Sequence, residues 1–331
     1  MSFSWPSKSQ RPTIFGILNV TPDSFSDGGN FISTEAAITQ ADRMISEGAD
    51  AVDVGGESTR PGAKPVTARE ELKRVLPVIR AIRSRWSDIP ISIDTVKAEV
   101  ARAALAEGAS IVNDVSGMSL DPEMASVCAK AGCNVVLMHS RGTVAEMASY
   151  ETAVYGDDPV GEIVAELEES VGTAQRAGVH PARIAVDPGI GFSKRTGHSL
   201  AALVELPRIV ALGYPVFIGV SRKRVIAELI RYTSAGSTSS GTTLAPQLIS
   251  NTDRDMTTVG VNVVAFFAGA RVFRVHSVRP NRLALDAAWA LTPEESEMLA
   301  SRLRRRRADG FPEKHRVSSE PPDEEPRRQN L

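Results

Sequence analysis

The chain has 331 residues, of which 42% are hydrophobic and 24% are charged, so it can bury a core large enough for one barrel or two smaller domains. Its formal net charge of −2 argues against a nucleic-acid-binding protein that relies on a basic surface. No apolar run approaches the roughly 18 residues of a transmembrane helix, and the polar start lacks a secretory signal, so we expect no membrane association and a cytoplasmic location.

The first predicted strand covers Ile14–Leu18, a continuous apolar run typical of a strand buried on both faces. Asn19 follows it, and a polar loop rich in Gly, Pro and Ser then extends to Gly29. A buried strand that ends in Asn and a long polar loop fits the catalytic end of a parallel α/β barrel. The alternative is an ordinary strand with a surface loop.

Seven more predicted strands alternate with amphipathic helices along the chain. The strands are 51–54, 89–94, 110–113, 134–139, 184–187, 216–219 and 272–275. The helices are 34–47, 69–86, 96–107, 122–131, 159–177, 200–212, a helix that opens at 223–230, and 253–268. Eight strand–helix units in about 280 residues favour a closed (β/α)8 TIM barrel of the α/β class over an open sheet.

The composition divides the chain into three parts. Residues 1–12 are predicted to be a flexible N-terminus, and 13–291 the barrel. Residues 292–331 are predicted to be a short basic helix and a disordered tail, because the tail has almost nothing to bury. The two cysteines, Cys128 and Cys133, have no His at metal-ligand spacing, so we expect reduced thiols.

Polar side chains follow most of the predicted strands, and in a barrel these ends converge on one pocket. A single Asp there is often only a helix cap, as Asp94 could be. Four residues nevertheless combine into a coherent set: Asp94, Asn113, Asp187 and Lys223. They supply acceptors, an amide and a cationic donor, which suits a flat heterocycle with an amidine-like edge and a carbonyl.

A second set of strand-end residues suits an anion: Ser58, Thr59, Arg60, Arg222, Arg274 and His276. Guanidinium groups and loop amides bind phosphate oxygens. Asn19 offers an oxygen to a Mg²⁺ that accompanies a polyphosphate. The chain has no GxxxxGK[ST], GxGxxG or GxSxG motif, which disfavours nicotinamide chemistry and covalent acyl transfer.

Eight strings in fixed order give the chain a family resemblance: ILNVTPDSFSDGG, VDVGGESTRPGA, SIDT, VNDVSG, MHSRG, DPGIGF, GVSRK and RVH. Over about residues 14–290 the chain resembles the dihydropteroate synthases of folate biosynthesis. The resemblance implies a transferase that joins 6-hydroxymethyl-7,8-dihydropterin diphosphate to 4-aminobenzoate, giving 7,8-dihydropteroate and diphosphate. It also implies Mg²⁺ as cofactor, a homodimer and sensitivity to sulfonamides.

The resemblance also implies roles for individual residues. The pterin would be held by Asp94, Asn113, Asp187 and Lys223. The diphosphate would be bound by Arg60, Arg274 and His276. Asn19 would bind Mg²⁺, and Thr59 would contact a substrate. Catalysis would rest on Arg60, Asp94, Asp187, Lys223, Arg274 and His276. The two carboxylates would stabilise a pterin-methyl cation as diphosphate leaves, with no protein nucleophile.

The chain departs from the family pattern at four places. Arg224 stands where the family has Ser near the aminobenzoate, Ser277 stands in place of Asp, and Ser193 in place of Gly. The segment after MHSRG lacks the usual Pro and Gln. These departures concern the second substrate, 4-aminobenzoate. Arg224 either contacts the carboxylate of this substrate at the rim of the pocket or is solvated. Two alternatives remain, a methyltransferase that uses methyltetrahydrofolate and an inactive pterin-binding paralogue.

Overall fold

The computed structural model describes residues 3–21, 34–58, 63, 65–237 and 249–308, with the backbone alone at 234–237 and 303–308. Within these ranges the chain alternates strands and helices as the sequence predicts. The strands are β1 (Thr13–Asn19), β2 (Ala51–Gly55), β3 (Ile91–Asp94), β4 (Ile111–Asp114), β5 (Asn134–Met138), β6 (Ile184–Asp187), β7 (Phe217–Ile218) and β8 (Val272–Val275).

The helices lie between the strands and after β8. They are α1 (Thr34–Ser46), α2 (Ala68–Arg85), α3 (Ala98–Ala106), α4 (Met124–Ala131), α5 (Val144–Met147), α6 (Pro159–Arg176), α7 (Thr196–Val204), α8 (Leu206–Val210), α9 (Arg224–Ser237), α10 (Asn251–Phe267), α11 (Val278–Ala290) and α12 (Pro293–Ala308). Three points differ from prediction: the short α5 and α11 were not expected, and the helix predicted for 200–212 is divided into α7 and α8 at Glu205, just before Pro207.

The eight strands form one parallel sheet in the order β6-β5-β4-β3-β2-β1-β8-β7. Its two edges meet, because Val186 of β6 forms a parallel bridge with Val216 beside β7. The Val186 amide also donates to the carbonyl of Pro215 at 3.0 Å. The sheet therefore closes into a barrel, and the predicted (β/α)8 fold is confirmed.

The described part of the predicted flexible N-terminus, residues 3–12, places aromatic side chains against the barrel. Trp5 is 8% exposed, stacks on Phe15 of β1 at 6.0 Å between ring centroids, and donates from Nε1 to the carbonyl of Arg183 at 2.8 Å. Phe15 in turn meets Phe217 edge-to-face at 5.3 Å. The polar composition hid two aromatic residues, Phe3 and Trp5, which cover the end of the barrel where the strands begin.

Helix faces that point to the barrel are apolar, as on α2, where Val75, Val78, Ile79 and Ile82 are buried. No helix in the described ranges is long and apolar enough to cross a membrane. Residues 290–331 form a unit separate from 1–289. In that unit α12 occupies the place of the predicted basic helix, and the predicted disordered tail lies outside the described residues from 309 onwards.

Candidate active site

A cavity of about 600 Å³ opens at the carboxyl ends of the barrel strands. Its wall contains most of the residues predicted from the strand ends: Asn19, Ser58, Asp94, Ser221, Arg222, Lys223, Arg224, Arg274 and His276. Asn113, next to the last residue of β4, and Asp187, the last residue of β6, are buried, at 3% and 4% exposure. Thr59 and Arg60 lie outside the described residues.

The centre of the site is Arg274 on β8. Its Nε donates to Oδ2 of Asp53 at 2.5 Å, and its Nη2 donates to Oδ2 of Asp94 at 2.7 Å. The side-chain amide of Asn113 donates to the same oxygen of Asp53 at 3.3 Å. Arg274 was predicted to belong to the anion-binding set, but it bridges Asp94, which belongs to the set that suits a heterocycle, and Asp53. The sheet order places β8 beside β1, so an arginine that points inward reaches the carboxylates of β2 and β3.

Asp53 was treated in the sequence only as a strand-end residue, without a role in the site. Its side chain is fully buried, and its Oδ1 has no hydrogen-bond partner in the described part of the chain. A buried acceptor without a donor costs about 1–3 kcal/mol. A ligand that donates hydrogen bonds here would relieve this cost.

The charges of this cluster are unevenly balanced, since one guanidinium faces two carboxylates. Burial raises the pKa of Asp94 to about 7, against the attraction of Arg274 and with repulsion from Asp53 adding to the rise. The excess of acceptors favours a ligand edge that carries N–H donors.

Asp187 and Lys223 face each other on the neighbouring side of the barrel. Asp187 Oδ1 accepts from the amide of Gly189 at 2.7 Å, and Lys223 Nζ donates to the carbonyl of Ile190 at 2.7 Å. A Cβ on Gly219 would lie 3.7 Å from Asp187 Oδ2 and 3.9 Å from Lys223 Nζ, so both groups reach the space above this glycine.

The environment of Lys223 tunes its charge. Burial lowers the pKa of Lys223 to about 8, although the attraction of Asp187 opposes the change. The Nζ atom also lies 4.2 Å from the ring centroid of Phe192, a cation–π contact. The ammonium group is therefore available as a donor to a ligand carbonyl next to an acceptor carboxylate.

The anion-binding set is only partly assembled by the described residues. His276 Nδ1 lies 3.0 Å from Ser221 Oγ, which also accepts from the His276 amide at 3.2 Å. Arg222, in contrast, forms a bidentate ion pair with Asp255 at 2.7 Å for both bonds, with a left-handed backbone at φ +61°. The guanidinium fork of Arg222 is therefore already engaged in this arrangement, and its role in anion binding stays a prediction.

Asn19 lies at the floor of the cavity beside Asp94. Its Oδ1 is 3.7 Å, and Asp94 Oδ2 is 3.6 Å, from the point where a Cβ on Gly55 would stand. No group of three or more His, Cys, Asp or Glu side chains in the described ranges could hold a metal ion. Mg²⁺ commonly has few protein ligands and takes the others from phosphate and water, so a single amide oxygen fits this metal if a diphosphate accompanies it.

Comparison with known proteins identifies the family. A profile of the family described as "Pterin binding enzyme" matches residues 15–276. The dihydropteroate synthase of Mycobacterium leprae is 44% identical over 277 residues, which cover 84% of this chain and 92% of that protein. The chain belongs to the dihydropteroate synthase family.

Further relatives agree with this assignment. The dihydropteroate synthase of Xanthomonas albilineans, solved with 4-aminobenzoic acid, has a TM-score of 0.73 and 40% identity, and the match covers 86% of this chain and 95% of that one. The mitochondrial folate synthesis bifunctional protein of Arabidopsis thaliana is 39% identical over 313 residues, or 91% of this chain. The chain spans about half the length (51%) of that bifunctional protein.

Two departures from the dihydropteroate synthase motifs have structural explanations. Arg224 lines the cavity mouth, and its guanidinium lies 4.4 Å from the ring centroid of Tyr150, which also lines the cavity. Ser193 joins two loops, because its hydroxyl accepts from the amide of Arg141 and donates to its carbonyl, both at 2.8 Å. Ser277, the third substituted residue, accepts from Asn281 through its backbone carbonyl at 2.7 Å, a contact independent of its side chain.

The residues of the site that the sequence analysis missed include Asp53, Tyr150, Phe192 and Lys194. Asp53 follows the pattern of polar strand residues, and Phe192 and Lys194 stand at the end of the DPGIGF motif, so a signal existed for these three. Tyr150 lies in a stretch without a motif, and only the tertiary structure brings it to the cavity.

Proposed function

We propose that this protein is a dihydropteroate synthase that joins 6-hydroxymethyl-7,8-dihydropterin diphosphate to 4-aminobenzoate and releases diphosphate. The observation that carries the proposal is the placement of Asp187 and Lys223 around Gly219, together with the cluster of Asp53, Arg274 and Asp94 at the barrel mouth. Membership of the dihydropteroate synthase family supports it.

The pterin ring would bind by its polar edge. Its amino and ring N–H groups would donate to the carboxylates Asp187 and Asp94, and its carbonyl would accept from Lys223. Asn113 donates to Asp53 and so orients this carboxylate for the ligand.

The diphosphate would occupy the side of the cavity that contains His276 and Ser221, with Thr59 and Arg60 as further contacts from the loop after β2. Asn19 would hold Mg²⁺, which supplies neutralisation of charge on the leaving group. Arg274 would contribute a positive charge to this side of the cavity. It stays protonated because Asp53 and Asp94 raise its pKa, although burial lowers it.

The reaction would break the bond between the pterin methylene carbon and the diphosphate oxygen, and form a bond from that carbon to the arylamine nitrogen. The nitrogen then loses one proton, and the bonding pair of the broken bond leaves with diphosphate. Asp94 and Asp187 would stabilise the positive charge that develops on the pterin methylene group. The arylamine is itself the nucleophile, so no covalent intermediate with the protein is needed.

The test is an assay of diphosphate release with both substrates, compared with assays that omit either one. Release that requires both supports the synthase. No release, while pterin binding persists in calorimetry, would favour the inactive paralogue. Methyl transfer from methyltetrahydrofolate would favour the methyltransferase alternative.

We also propose a homodimer, as the family resemblance implies. Three apolar side chains on α10 support it, since Met256, Val264 and Phe267 are 62%, 67% and 60% exposed. Phe267→Glu should shift the protein toward the monomer in sedimentation experiments, while a charged residue at the exposed Val204 of α7 serves as comparison. An unchanged sedimentation coefficient for Phe267→Glu would count against this face. The cytoplasmic location remains a prediction from the sequence.

A further inference from the structure

A second polar cluster joins the loops after β5 and β6 beside the cavity, and the proposed mechanism does not use it. Lys194 is only 2% exposed, although it contributes to the cavity wall. Its Nζ lies 2.6 Å from Nδ1 of His139, 3.2 Å from the carbonyl of Phe192 and 3.4 Å from the carbonyl of His139. The other ring nitrogen of His139, Nε2, lies 3.1 Å from Oε2 of Glu166 on α6.

The partners determine the tautomer of His139. Burial would raise the pKa of Glu166, but hydrogen bonds from His139 and Arg141 bring it down to about 2, so Glu166 only accepts. The Nε2 atom of His139 therefore carries the proton, and Nδ1 accepts from Lys194. Burial, with repulsion from Lys194, lowers the pKa of His139 to about 4, which keeps the imidazole neutral.

The same contacts indicate that Lys194 is charged. Three acceptors surround Nζ, which matches the three N–H bonds of an ammonium group. A neutral amine would direct its lone pair at one of these acceptors. Burial lowers the pKa of Lys194 well below that of ordinary lysines, and the attraction of Asp187 opposes this effect. The three acceptors around Nζ are the geometric reason for assigning the charged form.

This charge acts on Asp187. Burial raises the pKa of Asp187, while Lys223, the amide of Gly189, Lys194 and Arg274 lower it. Arg274 is shared between two other carboxylates, and Lys223 is assigned to the ligand carbonyl in the proposed function. Lys194 is the remaining cation of this group, and its hydrogen bonds go to neutral acceptors.

We propose that Lys194 is a positioning residue of the pterin site, which keeps Asp187 ionised through its buried charge and holds the loop after β6 through the carbonyls of His139 and Phe192. The inference rests on the proposed function, because it assumes that Asp187 accepts hydrogen bonds from the pterin. It assigns His139 the role of presenting a neutral acceptor to the lysine.

The test measures the affinity of 6-hydroxymethylpterin, which lacks the diphosphate, by calorimetry between pH 5 and 7.5. Affinity should fall on the acid side as Asp187 takes up a proton. In Lys194→Met the midpoint of this fall should move up by about one pH unit, the lower end of the effect of a nearby opposite charge. Asp94 and Lys223 titrate near this range, but they are present in every variant.

Two control variants separate charge from packing. Lys130→Met removes a lysine from the exposed face of α4 and should leave the midpoint unchanged. His139→Asn keeps the charge of Lys194 and offers an amide oxygen in place of Nδ1, so its midpoint should stay near that of the unaltered protein. An unmoved midpoint in Lys194→Met, or an equal shift in His139→Asn, would overturn the inference. Absence of pterin binding by the unaltered protein would instead refute the proposed function.

A measurement on the unaltered protein does not depend on the folding of any variant. Nitrogen-15 NMR should show His139 as the neutral tautomer with the proton on Nε2 between pH 6 and 8. The chain has five histidines, and the signal missing from His139→Asn identifies this one. A proton on Nδ1, or an imidazolium in this range, would mean that Lys194 does not donate to His139, and the inference would fall.

Discussion

The change Arg224→Ser restores the residue that the dihydropteroate synthase pattern has at this position. Arg224 lines the cavity mouth and is exposed, and its guanidinium is held over the ring of Tyr150 at 4.4 Å. This stacking favours a contact with ligand over free solvation, the two options that the sequence left open. A guanidinium fork binds a carboxylate more strongly than a hydroxyl does, so we expect it to bind the carboxylate of 4-aminobenzoate.

The magnitude follows from the exposure of the site. A hydrogen bond to a charged partner contributes about 1.5–3 kcal/mol when buried, and exposed ion pairs contribute about 0.2–1 kcal/mol. An exposed arginine at a cavity mouth lies between these cases, so a loss of about 1–1.5 kcal/mol is expected. This corresponds to a rise of roughly fivefold to tenfold in KM for 4-aminobenzoate. The KM for the pterin diphosphate should barely change.

The assay is steady-state diphosphate release with each substrate varied in turn. Tyr150→Ala removes the ring under the guanidinium and should raise the same KM by a smaller factor, about twofold to fivefold, the size of an exposed cation–π contact. Arg176→Ser, on the exposed face of α6, is the matched control and should change neither KM. Equal constants for Arg224→Ser and the unaltered protein would refute the reasoning, as would equal increases for both substrates.

Three further predictions concern the pterin pocket, the C-terminal unit and the buried imidazole. Asp187→Ala should lower pterin affinity roughly tenfold to a hundredfold or more in calorimetry, because it removes a charged hydrogen-bond acceptor of the ligand, and it should change Tm little. Unchanged affinity would contradict the assignment of Asp187 to the pterin site. A chain that ends at Leu291 should keep its activity and Tm, since the remainder has little apolar surface; a large fall in Tm would show the opposite. Because the pKa of His139 is lowered from 6.5 to about 4, unfolding takes up a proton in this range. The free energy of unfolding should therefore fall by up to about 3 kcal/mol between pH 6.5 and 4, an effect that His139→Asn should remove in chemical denaturation.

The amino-acid sequence determined the fold class and most of the pocket. Each β-strand is a short apolar run buried in the barrel, and each helix has an apolar face, so local periodicity was enough to count eight units. The closed barrel then brings the strand ends together, which is why Asp94, Asn113, Asp187 and Lys223 could be predicted as one set before any contact was known. The ordered motifs supplied the family.

The tertiary structure decided which groups are partners. Arg274 was predicted to meet an anion but lies between Asp53 and Asp94, 221 and 180 residues away along the chain. Arg222 is engaged by Asp255, a residue on α10. Such pairs depend on the register of the sheet and the direction of side chains across the barrel, which local periodicity does not contain.

The sequence also did not predict which side chains are buried or which of them are protonated. Trp5 stands in a polar segment, yet its ring packs on Phe15 because the open end of the barrel leaves an apolar surface to cover. His139 was predicted only as the end of a strand, and Lys194 had no predicted role. Only their burial side by side makes one a charged donor and the other a neutral acceptor. The energy of a charge depends on the solvent and dipoles around it, and these are properties of the folded chain.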